Sequence, residues 1–395
     1  MRIARFNDHL IRGYPGKITV LVSLGWLGTL LGREALPPLL PVLLDELAIT
    51  QSEVGIALSI MWGGYALLHF PAGRLSDAIS RTALLVGSLA LTGLGVIVLM
   101  LAGSYLGFVL SVTAIGLGAG LYFTPSRAYV SDLVVEKRGQ ALGIQDSAGA
   151  IGSALAGILV IAVLELGNWR LHYVLVTAVL LLVLVLLLSL SREERRDERP
   201  TLEVRATLKR IFLKPEIAQL VASYSTLSLA WQSTISFLPL FLITAKGIDS
   251  TVATLLYSFL FVVASVIGPV AGNLGDRTSR VAVSFAALLC TVVGFASMLL
   301  LDPFVFIALG VVLIAVGIRS YSPCMQSYLM ELYPEEHRGG DFGAVKTIYT
   351  GFGSLGPAYV GLVSDRFDFT VAFAGLAVLL VVGSGFLYRV MRRSG

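Results

Sequence analysis

Residues 73–81 read Gly73-Arg74-Leu75-Ser76-Asp77-Ala78-Ile79-Ser80-Arg81, and residues 272–280 read Gly272-Asn273-Leu274-Gly275-Asp276-Arg277-Thr278-Ser279-Arg280. Both fit the pattern G-x-L-x-D-x-x-S-R. Each follows a long apolar segment with a proline near its end, Pro71 in one case and Pro269 in the other, and each precedes another apolar segment. A charged motif that recurs half a chain later between apolar segments describes a duplicated membrane protein.

Composition supports this reading. Of 395 residues 56% are hydrophobic and 14% charged, against roughly 25% charged in soluble domains. The apolar residues fall into runs of about the twenty that a helix needs to cross a hydrocarbon core. Twelve such runs are expected, at 18–44, 54–76, 82–102, 105–131, 140–166, 171–190, 216–244, 251–274, 281–301, 303–332, 341–364 and 369–389. The fold class is therefore an all-α integral membrane protein with twelve transmembrane helices in two pseudo-symmetric six-helix bundles. The first bundle is expected over residues 1–190 and the second over 216–395. Residues 191–215 would form a cytoplasmic linker, because SREERRDERP cannot enter a bilayer; Val204 to Phe212 reads as an amphipathic stretch lying on its surface. The N-terminal stretch carries Arg2, Arg5, Arg12 and Lys17 but no small-residue cleavage site, so the first span is expected to be retained.

The net charge of +4 is explained by topology, with no nucleic-acid partner required. With the N-terminus cytoplasmic, 22 of the 29 Lys and Arg residues lie inside, three outside (Arg170, Lys246 and Arg366) and four within spans. This positive-inside pattern places both termini in the cytoplasm of a multi-pass protein of the plasma membrane. Cys290 and Cys324 lie inside spans, where packing is the plainer role. There is no nucleophile–base set, no metal-spaced His/Cys cluster and no nucleotide-binding loop, and only four histidines occur. An enzyme, a metal site and a bound cofactor are all disfavoured.

The duplication extends beyond the opening motif. Glu136-Lys137-Arg138-Gly139 corresponds to Glu336-His337-Arg338-Gly339, and Pro41 in the first span to Pro239 in the seventh. Parallel repeats of this kind build a large group of secondary transporters, whose substrate site lies near the midplane between the halves. On these features the chain resembles the major facilitator superfamily. Gly73, Leu75, Ser76, Asp77 and Arg81 match that family's loop 2–3 signature, while Ala78 and Ser80 depart from it. The passage from Gly116 through Ser131-Asp132 to Gly143 is similar to the family's span 4 to span 5 passage. The arginine often found in span 4 is replaced by Val112. The Gly-Pro of the antiporter signature is absent near Ala156-Gly157, and a similar sequence, Gly353 to Gly361, occurs in span 11 instead. Both departures weigh against a drug–proton antiporter.

Ionisable residues at membrane depth face a bundle interior or a water-filled cavity by default. Arg33 and Arg319 both fall near mid-span, and a guanidinium fork matches carboxylate or phosphate. They are expected substrate contacts, with the alternative that Arg33 is neutralised by Glu34 or another helix and only fastens the bundle. By the repeat, Trp231 and Gln232 stand where Arg33 and Glu34 stand in the first half, so they join the substrate-binding set with Lys346 and Tyr321. Glu34 is a candidate for proton coupling, as is Asp146, whose counterpart in the second half is Lys346. Arg127 lies at Asp146's depth on the neighbouring helix and is expected to pair with it as a structural or gating bridge. His69 is read as packed rather than as a proton carrier. Asp77 with Arg81 and Asp132, and Asp276 with Arg280 and Glu331, are expected to form the gating hardware of the inner side; the plainer alternative is charged turns that only set topology. The protein is expected to be a monomeric secondary transporter moving a small organic solute, anionic on the charge balance, by alternating access with proton coupling. The alternative is a proton-coupled efflux transporter for amphipathic or cationic compounds.

Overall fold

In hydrocarbon every backbone N–H and C=O must be satisfied within its own segment, which leaves the helix as the available element for these apolar runs. The computed structural model describes residues 13–192, 215–333 and 338–394, and among them the regular structure is helical throughout. The expected surface helix at Val204 to Phe212 lies outside the described residues. The helices are α1 (Gly13–Arg33), α2 (Leu36–Leu47), α3 (Gln51–Ala78), α4 (Arg81–Leu101), α5 (Tyr105–Leu133), α6 (Arg138–Glu165) and α7 (Arg170–Leu190). They continue as α8 (Pro215–Thr244), α9 (Ser250–Arg277), α10 (Arg280–Leu300), α11 (Phe304–Leu332), α12 (Arg338–Gly353), α13 (Leu355–Arg366) and α14 (Phe369–Ser394). Among the described residues ten stretches, α1–α2 counted as one, are long and apolar enough to cross a membrane. The helix α3 and the α12–α13 pair occupy the two remaining expected spans.

Two spans are broken, and prolines explain where. Pro37 and Pro38 open α2, so the carbonyls of Arg33 and Glu34 have no N–H four residues on, and the first span parts at Glu34–Ala35. Pro357 likewise deprives the Gly353 carbonyl, and the eleventh span parts at Ser354.

The repeat is a repeat of contacts as well as of letters. The serine before the last residue of each opening motif is an N-cap: Ser80 Oγ accepts from the Ala83 amide at 3.1 Å, and Ser279 Oγ from the Ala282 amide at 3.3 Å. Glycines let paired helices touch. A Cβ on Gly95 would lie 2.8 Å from the Ser111 carbonyl, and one on Gly294 2.8 Å from the Gly310 carbonyl. At Gly118 it would meet the Ser88 carbonyl at 2.9 Å, and at Gly317 the Ala287 carbonyl at 2.5 Å. Two buried tyrosines also correspond, Tyr122 donating to the Val22 carbonyl at 2.7 Å and Tyr321 to Ser223 Oγ at 3.1 Å.

Packing gathers the described residues of Met1–Leu36 and Leu67–Leu202 into one compact unit, and those of Pro37–Ala66 and Glu203–Gly395 into a second. Within the second, the beginning of α3 lies against α13. Asp365 Oδ2 accepts from the Ser52 amide at 2.7 Å, and the Ala358 amide donates to Ser59 Oγ at 2.7 Å. A Cβ on Gly55 would sit 2.5 Å from the Pro357 carbonyl, so the two helices cross backbone to backbone. Two of the three basic residues expected outside have a structural use. Arg170 Nε donates to the Met100 carbonyl at 2.9 Å and Lys246 Nζ to the Leu299 carbonyl at 3.2 Å, each beside the end of a helix, where cations are favourable.

These close approaches give a direct test. Gly317→Val should destabilise the protein by about 1–3 kcal/mol, the usual cost of overpacking. Gly87→Ala should be neutral or slightly stabilising, since a Cβ there meets nothing within 4 Å. Thermal unfolding of the two purified variants compares them, and equal melting temperatures would contradict the packing described.

Candidate functional site

In the first unit the charged centre lies at the break of the first span. Arg33 ends α1, and its Nε and Nη2 both donate to Glu34 Oε1, at 3.0 and 2.6 Å. Both residues are buried, at 7% and 3% exposure. A buried ion pair contributes little net stability but is costly to break from one side. Glu34 thus pairs with Arg33 within the same turn. Thr29, one turn back on the face of Arg33, spends its hydroxyl on the Gly25 carbonyl at 2.8 Å. His172 on α7 was not singled out by sequence. It is buried beside this segment with Nε2 3.0 Å from the Leu31 carbonyl; a carbonyl only accepts, so Nε2 carries the proton.

Arg127 Nη1 donates to Asp146 Oδ1 at 2.5 Å, joining α5 to α6. One residue away on each helix, Gln145 Nε2 donates to Ser126 Oγ at 2.6 Å. Asp146 is accordingly held in an ion pair, and the Arg127 guanidinium also lies 5.4 Å from the centre of the Phe123 ring. The His69 ring stacks on that same phenylalanine at 5.2 Å and 4° between planes, a packed histidine. At the first motif Arg81 bridges to Asp132 and donates to the Ala128 carbonyl at 3.0 Å. The side chain of Asp77 lies outside the described residues.

In the second unit Arg280 repeats this arrangement, bonding Asp276 at 2.7 Å and bridging to Glu331. Two expected substrate contacts are packed inside the unit rather than on an open face. Tyr321 is fully buried, edge-on to Tyr224 at 5.1 Å and bonded to Ser223. Gln232 is buried and its Nε2 donates to Ser228 Oγ at 3.1 Å and the Thr350 carbonyl at 3.0 Å. Lys346 is half-buried on α12.

Arg319 and Trp231 differ from these. Trp231 is half-exposed and packs edge-on against Phe261 at 6.2 Å. One turn beyond Phe261 on α9 is Ala264, whose carbonyl accepts from Arg319 Nε at 3.3 Å. Arg319 is exposed near the middle of α11. Within this unit the carbonyl that Arg319 uses thus lies one turn of α9 from the ring that Trp231 packs on. Sequence reasoning missed Tyr224 and Gln326, which the fold brings to the same region. Tyr224 stacks on Tyr349 at 3.8 Å and accepts from Gln326 Nε2 at 3.0 Å. Their signal was the repeat: Tyr224 stands where Trp26 stands in the first half, and Trp26 stacks on Tyr122 as Tyr224 packs on Tyr321.

A duplicated all-helical membrane chain, with charged turns repeated in each half and a few charges at mid-span, has the build of a secondary transporter. The family model described as the Major Facilitator Superfamily matches residues 22–357 and 220–394, and the chain belongs to that superfamily. It is a multi-pass membrane transporter and not an enzyme. Among curated proteins it is 25% identical over 357 residues to the fosmidomycin resistance protein of Escherichia coli, an alignment covering 87% of this chain and 85% of that one. It is 21% identical to the hexuronate transporter of Bacillus subtilis, covering 92% and 91%. Among solved structures, an inward-facing bacterial homologue of the human lysosomal transporter Spinster superposes with TM-score 0.83 at 16% identity, covering 96% and 98%. A D-xylose–proton symporter superposes with TM-score 0.78 at 17% identity, covering 95% and 98%.

The contact of Asp365 with the Ser52 amide acts as a helix cap supplied from another helix. Asp365→Ala should cost about 1 kcal/mol. Asp302→Ala should cost less, because that carboxylate is 94% exposed in its pair with Lys246. Chemical denaturation in a single detergent ranks them, and the reverse order would contradict the capping role.

Proposed function

We propose that this transporter moves a small organic anion across the plasma membrane by alternating access coupled to protons, with the single chain as the transporting unit. The observation that carries the reading is Arg319, a mid-span guanidinium that is exposed and, among the described residues, has one hydrogen bond, through Nε, to a backbone carbonyl. A cation at membrane depth is expensive to hold, and a bound anion offsets that cost. Hexuronate and sulfoacetate, which appear in the names of two relatives, are organic anions.

Arg33 and Glu34 suit coupling. An anion that takes over the Arg33 fork leaves Glu34 buried without that charge partner, and a buried carboxylate in that position takes up a proton. The two motif clusters, Arg81 with Asp132 and Arg280 with Asp276 and Glu331, are read as gating elements, with Asp77 and Arg127 in supporting roles. A second reading, proton-coupled efflux of amphipathic or cationic compounds, draws on two relatives named for resistance and on the half-exposed Trp231 beside Phe261. It requires a cavity that tolerates cations, which Arg319 opposes.

Two measurements separate these readings. Arg319→Gln should lower anion affinity by at least tenfold in thermal-stabilisation titrations, and Arg319→Lys should recover only part of it, since an ammonium lacks the planar fork. Stabilisation by cationic dyes alone, unaffected by either substitution, would overturn the anion reading. In proteoliposomes, Glu34→Gln should abolish uptake driven by a pH gradient while anion exchange persists; pH-driven uptake at the wild-type rate would remove Glu34 from coupling.

A further inference from the structure

Arg319, Ser322 and Gln326 lie three and seven residues apart on α11 and so share one face. None of the three is buried. Ser322 is satisfied by its own helix, donating to the Ile318 carbonyl at 3.2 Å. The other two have hydrogen-bonding capacity left over. The Arg319 Nη1 and Nη2 groups make no hydrogen bond among the described residues, because Nε alone is used, on Ala264. Gln326 uses Nε2 on the Tyr224 hydroxyl and leaves Oε1 without a partner among the described residues.

The open groups specify a ligand with different chemistry at its two ends. The terminal nitrogens of Arg319 are donors only and match a carboxylate or phosphate. The amide at Gln326 is different. If its oxygen and nitrogen exchanged places, the Tyr224 hydroxyl would donate to the oxygen and the open atom would be a donor instead of an acceptor. A ligand hydroxyl, which both donates and accepts, satisfies either arrangement. Seven residues separate the two positions by about 10 Å along the helix axis, a gap that two long side chains reaching toward each other shorten. Tyr224 is fixed by its stack on Tyr349 at 3.8 Å and 6°, so the Gln326 amide has a rigid anchor.

We propose that the α11 face from Arg319 to Gln326 recognises a hydroxylated organic anion of the sugar-acid or hydroxy-acid class, with the anionic group on Arg319 and a hydroxyl on the Gln326 amide. The inference rests on the anion reading above and narrows it: an aliphatic acid of the same length fills the Arg319 end but leaves the Gln326 amide unpaired and desolvated. That omission costs about tenfold in affinity, the worth of one hydrogen bond in a closed site.

The test uses the purified full-length protein in isothermal titration with gluconate, hexanoate, sorbitol and a lipophilic cation. Wild-type protein should bind gluconate at least tenfold more tightly than hexanoate. Gln326→Leu should weaken gluconate about tenfold and leave hexanoate unchanged, so that the two acids converge. Tyr224→Phe keeps the ring stack but frees the amide, and should weaken gluconate alone by a smaller factor. Equal affinity for gluconate and hexanoate in the wild type would overturn the hydroxyl contact, as would an equal loss for both acids in Gln326→Leu. Binding of the cation with no binding of either acid would overturn the anion reading itself, and sorbitol binding as tightly as gluconate would do the same.

Discussion

A charge or an open backbone group in hydrocarbon must find a partner close at hand, because water is not there to supply one. That constraint accounts for the first span. Pro37 and Pro38 remove the donors that the carbonyls of Arg33 and Glu34 would use, and the helix parts at that point. The ion pair of Arg33 and Glu34 occupies the same turn, buried, with both donors on one carboxylate oxygen. The most polar point of the first span is thus also its least regular one. The eleventh span breaks for the same reason, at Ser354 before Pro357.

Comparison of the repeats separates what supports the fold from what has diverged. The N-capping serines, the arginine-to-acid bridges after them, the glycine crossings and the buried Tyr122 and Tyr321 are all kept. Other corresponding positions have diverged. Trp26 packs on Gly149 in the first half, where a Cβ would lie 2.5 Å from its Nε1, whereas Tyr224 stacks on Tyr349 in the second. Arg127 and Asp146 form an ion pair, while their counterparts are Gln326 and Lys346. The second unit thus carries an amide and a cation at the positions where the first carries an arginine and a carboxylate.

The fold was almost wholly legible in the sequence. Apolar runs, proline positions and the doubled motif are local signals, and the helices follow them to within a few residues. The charged pairs were legible as well, where both partners lie in adjacent helices, as Arg127 and Asp146 do. Side-chain exposure was not. Tyr321 and Gln232 look like cavity residues by their chemistry, yet both are packed, because a polar group on a helix can turn inward wherever a serine or a carbonyl awaits it. Tyr224 and Gln326 escaped notice because single tyrosines and glutamines carry no periodic signal; only the register with Trp26 and Arg127 points to them. The contacts of Arg170 and Lys246 were not legible either, since their helix-end carbonyls are far away in sequence.

An organic anion received by Arg319 is the transported species we propose. Counterflow in proteoliposomes tests it most directly: vesicles loaded with unlabelled gluconate are diluted into labelled gluconate, and parallel vesicles are loaded and diluted with a labelled lipophilic cation. The account predicts transient accumulation of labelled gluconate above equilibrium, absent in Arg319→Gln, and none for the cation. Counterflow of the cation without counterflow of gluconate would contradict it.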